Sequence, residues 1–136
     1  MDQKNKLTML WILTVIGMIL HFNYHIGEMV YGADIVKHEY KGEEPLAILF
    51  IRNVYYHLPV VWVLLLLYFK TRILYLILFV ISILYSISHL AHLSGELMQS
   101  SKNYSQLSLL SLVFIISLLI VREHYSLWKQ FKHETI

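Results

Sequence analysis

Polar and apolar residues in this chain are segregated on the scale of whole helices. Four long apolar runs are separated by short polar stretches, and most charged residues are gathered in the separators. Each run approaches the roughly 20 residues that an α-helix needs to cross the hydrocarbon core of a bilayer. The pattern predicts spans at 7–31, 46–69, 73–97 and 107–129. The first run follows Lys4 and Lys6, as in a signal peptide. It continues into His21 and Tyr24 without a small-residue cleavage site, so it is read as a retained span.

The separators predict how the spans connect. Lys70-Thr71-Arg72 is all that joins the second and third, which forces an antiparallel hairpin. The stretch 32–45 is an acidic loop carrying Asp34, Glu39, Glu43 and Glu44, and 99–106 is a short polar loop. Pro45 suits the first turn of the second helix. Pro59, inside that helix, frees a backbone carbonyl one turn earlier and is expected to bend the helix and open room beside it.

Composition supports the same architecture. With 57% hydrophobic residues, 15% charged residues and a mean hydropathy of +0.58, the expected fold is all-α. We expect a single polytopic domain over 1–136, a bundle of four transmembrane helices. The absence of cysteine excludes disulfides, iron–sulfur clusters and thiolate metal sites. A formal charge of +2, with no basic stripe, argues against a nucleic-acid partner. Lys4, Lys6, Lys70, Arg72, Arg122, Lys129 and Lys132 fall on one side of the predicted bundle. Only Lys37, Lys41, Lys102 and Arg52 fall on the other. The positive-inside rule then predicts a multi-pass protein of an inner or plasma membrane with both termini in the cytoplasm.

Two polar stretches interrupt the apolar runs at matching places. His21, Gly27 and Glu28 each recur 68 positions later, as His89, Gly95 and Glu96. Both stretches lie at the same end of helices that run the same way. Two hairpins related by a pseudo-two-fold axis along the membrane normal would produce this arrangement.

The spacing predicts chemistry. His21, His25 and Glu28 fall at i, i+4 and i+7, and His89, His92 and Glu96 at i, i+3 and i+7; each set shares one helix face. His57 adds an imidazole from the second span. At about 1.5 Å per residue, His21 and His57 lie roughly 15 Å from the outer ends of their helices, and His25 roughly 9 Å. Polar groups at such depths are costly unless another group, water or a ligand satisfies them.

Three readings are open. In the first, His21, His25, His57, His89 and His92 hold zinc or a first-row transition metal. Glu28 or Glu96 is then the general base, and Arg52, Asn53, Tyr24 and Tyr56 contact a membrane lipid or other apolar substrate. A hydrolase or an oxidoreductase would follow. In the second, haem b is held between His21 or His25 and His89, in an electron-transfer subunit linked to quinone. In the third, the groups form a polar network in a carrier or structural subunit, with no cofactor. The metal is preferred to haem because the i, i+4 and i, i+3 pairs crowd more imidazoles together than one haem needs. So small a chain is compatible with a homo-oligomer or with a place in a membrane complex. His124 is read as a solvated helix end, and His38 and His133 as surface residues. No HExxH, P-loop, GxGxxG or GxSxG signature occurs.

Overall fold

The computed structural model describes residues 2–32, 42–99 and 103–133. Among them the chain is all-helical, and four helices are long and apolar enough to cross a membrane, as in a multi-pass membrane protein. Helix α1 spans Gln3–Gly27 and tightens into a 3₁₀ turn at Glu28–Tyr31. Gly32 ends it at φ 85°, a left-handed conformation that favours glycine. Helix α2 covers Leu46–Tyr68, α3 covers Arg72–Met98 and α4 covers Tyr104–His133. The ends differ from expectation by a few residues. α1 starts earlier because the Asp2 carbonyl accepts the Lys6 amide at 3.0 Å. α4 starts earlier because the Asn103 side chain accepts the Gln106 amide at 3.2 Å, an N-cap within the expected loop. The acidic residues Asp34 and Glu39, and His38, lie outside the described residues.

Helix α2 is irregular next to Pro59, where the sequence predicted a disturbance. The chain is α-helical over Leu46–Arg52, widens into a π turn over Asn53–His57, and resumes an α-helix at Leu58–Tyr68. Proline has no amide hydrogen to offer the carbonyl four residues back, and its ring crowds that carbonyl. The wide turn, in which the Leu58 amide reaches the Asn53 carbonyl, absorbs the conflict.

The outward faces are apolar and the interior carries the polar groups, the arrangement that a hydrocarbon solvent demands. Ile16, Leu64, Ile77, Leu84, Leu112 and Leu118 are exposed, whereas Thr14, Ser82, Ser117 and His89 are buried. α4 packs along α1 and α3, and α1 packs on α2. α1 and α4 approach closely at Gly17, where an added Cβ would stand 2.5 Å from Val113 Cγ2. Small residues at helix crossings allow such approaches in membranes. α2 and α3 meet less closely. Tyr85 donates to the Val54 carbonyl and Tyr55 bonds Ser88, while a groove of about 490 Å³ stays open between the two helices. The pseudo-two-fold therefore describes the helix directions better than the packing. Strict symmetry would pair the tight α1–α4 contact with an equally tight α2–α3 contact.

Candidate metal centre

Both termini of the bundle lie at one end, where Lys6 pairs with Glu123 at 2.7 Å. The candidate site is at the other end, here called distal. α1 brings His21, His25 and Glu28 there, and α3 brings His92 and Glu96. These helices are long, regular and parallel, so residues one or two turns apart on each stack on a shared face.

The His21 ring lies between two others. Its centroid is 4.6 Å from that of His25 and 4.6 Å from that of His92, both edge-to-face. His21, His92 and Glu96 each offer one ligand atom, and the three atoms lie within 4.8 Å of one another. Zinc bonds of about 2.0–2.1 Å place tetrahedral donors roughly 3.3–3.4 Å apart. Side-chain movements on the order of an ångström would therefore close this set around an ion. His21 is buried, and its Nδ1 has no hydrogen-bond partner among the described residues.

His25 sits beside this trio, between two carboxylates. Its Nδ1 is 3.7 Å from Glu28 and its Nε2 is 3.7 Å from Glu96. Glu28 is held by Asn103 at 2.8 Å and by Gln106 at 3.3 Å, both from the start of α4. Gln99 donates to Glu96 at 2.9 Å. A continuous set of acid–base groups thus runs from the buried His21 to the half-exposed distal surface.

The other expected residues are placed apart. His89 is one turn deeper than His92 and fully buried, with its ring 5.4 Å from that of Tyr55 and 6.3 Å from that of Tyr85. Neither His89 nitrogen has a hydrogen-bond partner among the described residues. His57 is exposed and bonds Asn53 at 3.0 Å, in a separate groove with Arg52 and Tyr56. Tyr24 is exposed on α1. Asn53, Tyr56 and His57 all lie on the π turn, an irregularity that regular helical spacing does not reveal.

His124 corrects an expectation. It is fully buried, and its Nε2 accepts a hydrogen bond from Trp11 Nε1 at 3.1 Å. α4 continues to His133, so His124 lies more than two turns inside the helix and faces α1. Asn103 and Gln106 were missed altogether. The signal for them is an Asn-x-x-Gln pattern at a helix start, a capping arrangement whose glutamine is free to reach inward.

Compared with known protein families, curated proteins and solved structures, the chain matches none. The functional reading therefore rests on its own geometry.

Proposed function

We propose that this protein binds a divalent metal, zinc or a first-row transition ion, through His21, His92 and Glu96, and uses it on a lipid or other apolar substrate. The observation that carries the reading is the convergence of these three donors from two helices within 4.8 Å. Three protein ligands leave a coordination position for water or substrate, the usual composition of a catalytic zinc site. Bound zinc lowers the pKa of its water toward neutrality, which supplies a nucleophile for hydrolysis. His25 and Glu28 supply the acid–base route. Glu28 is the better candidate base of the two glutamates, because Glu96 belongs to the donor set while Glu28 stands beyond His25. His89 is then a neighbour of the centre on α3, not a ligand.

The direct contact of the His21 and His92 rings supports an ion over haem b. A haem would need His21 or His25 to face His89 across the macrocycle. One observation favours the carrier reading instead: His89 and His124 keep buried, unpartnered nitrogens in the bundle interior, as a proton-conducting network would. The positive-inside asymmetry supports a distal end that faces outward, with cytoplasmic termini.

Elemental analysis and an absorption spectrum of the purified, detergent-solubilised protein test this. We expect near-stoichiometric metal without a Soret band, and loss of that metal in His92→Ala. A Soret band would replace the metal by haem. Metal-free protein that stays metal-free after incubation with zinc would leave the carrier reading.

A further inference from the structure

A groove that joins polar and apolar side chains lies on a different face of α1 from the metal trio. It is a groove of about 260 Å³ between α1 and α2, lined by Ile19, Phe22, Arg52, Tyr56 and His57. The π turn creates it. On a regular α-helix, at roughly 100° per residue, positions five apart point about 140° away from each other. The wider turn closed by Leu58 on Asn53 rotates them toward one side, so that Arg52, Tyr56 and His57 share one groove.

The lining specifies a ligand. Arg52 presents a planar guanidinium, which binds carboxylate and phosphate oxygens in a fork. It already holds one such oxygen, because the Glu44 carboxylate pairs with it from the segment just before α2. Asn53 donates its amide to the Leu49 carbonyl at 2.8 Å, which leaves its Oδ1 to accept from His57 Nδ1 at 3.0 Å. With the proton on Nδ1, His57 Nε2 is left to accept a hydrogen bond from a ligand. Ile19 and Phe22 form an apolar wall, and Arg52 stands 6.0 Å from the Phe22 ring centroid. Arg52 is six residues into α2, or about 9 Å from its start, a depth from which a long side chain reaches the headgroup layer.

We infer that this groove binds a phosphate group, seated there as the headgroup of an anionic phospholipid. The phosphate oxygens replace the Glu44 carboxylate on Arg52, a protonated phosphate oxygen donates to His57 Nε2, and the first part of the acyl chain covers Ile19 and Phe22. Free phosphate satisfies the polar groups but leaves the apolar wall bare. The site is independent of the metal reading.

The test is native mass spectrometry and thermal unfolding of the detergent-solubilised full chain. The probes are short-chain phosphatidate, diacylglycerol of the same chain length and inorganic phosphate. Phosphatidate should bind and raise the unfolding midpoint well above either of the other two. Arg52→Gln should weaken phosphatidate binding by at least about tenfold, the loss expected for a hydrogen-bonded charge. Glu44→Gln, which removes the internal competitor, should tighten it several-fold, a gain that misfolding cannot produce. Diacylglycerol binding as well as phosphatidate, inorganic phosphate reproducing the whole effect, or weaker binding by Glu44→Gln would each overturn the inference. Metal content measured on the same samples keeps this result separate from the fate of the metal proposal.

Discussion

At the scale of single residues, the structure sets the histidines in three different surroundings. His21 and His92 converge with Glu96 on one point. We expect His21→Ala, His92→Ala and Glu96→Gln each to lose most of the bound metal, and any double variant to be little worse than a single one. Donors to one ion act as a unit, and their losses do not add. Full retention in His21→Ala would remove it from the site. His57, in its own groove, should be replaceable by Ala with metal content unchanged. His124 has the opposite character. It accepts the Trp11 indole hydrogen in a buried setting, so His124→Leu leaves that donor unsatisfied. A loss of about 1–3 kcal/mol is expected, read as a lower unfolding midpoint with metal content intact. Helical spacing alone showed that His21, His25, His92 and both glutamates share a region, because long regular helices obey their period. The partner each residue finds depends on helix rotation, and no spacing rule supplies that. His21 accordingly meets His92 instead of its sequence counterpart His89.

At the scale of elements, two local features decide how the helices stand. One is the α1–α4 crossing at Gly17. A methyl there would lie 2.5 Å from a Val113 methyl, and a β-branched side chain in a helix has few rotamers into which it can retreat. Gly17→Ala should therefore push the helices apart and cost about 1–3 kcal/mol, as overpacking does. Gly27→Ala and Gly95→Ala should cost far less, because an added Cβ meets nothing within 4 Å at either position. Thermal unfolding of the three variants in one detergent makes the comparison. Equal losses would mean that the repeated glycines, not the crossing, are what the bundle needs. The other feature is the π turn. The four spans were legible because apolar runs of this length leave little choice in a membrane, and Pro59 marked where the second would be disturbed. The form of the disturbance was not legible. A proline can be accommodated by a kink, a water or a widened turn, and the surrounding packing selects among them. His57 lies on that turn and lines a separate groove, outside the group it was expected to join.

At the scale of the whole molecule, the two ends of the bundle differ in kind. The end with the termini is basic and structural. There Lys6 meets Glu123 at 2.7 Å, Gln3 donates to the Glu123 carbonyl at 3.1 Å, and Lys4 donates to the Leu67 carbonyl at 2.8 Å. The distal end carries His21, His25 and His92 with the carboxylates of Glu28 and Glu96. Lys and Arg near span ends are retained in the cytoplasm during insertion, so the basic end should face inward and the candidate metal centre outward. The chain has no cysteine, so a single introduced cysteine reports its own location. Glu43 is exposed just before α2, and Gln130 is exposed near the far end of α4. In intact cells a membrane-impermeant thiol reagent should label Glu43→Cys and should reach Gln130→Cys only after lysis. The reverse pattern would turn the molecule over and place the metal centre on the cytoplasmic side. Labelling of both in intact cells would indicate chains inserted both ways, which the charge asymmetry should prevent. Replacing Lys70 and Arg72 with Gln weakens that asymmetry at the short connection between α2 and α3. A mixed labelling pattern in that background, absent from the parent, would show that these two charges help to set the orientation in which the site meets its substrate.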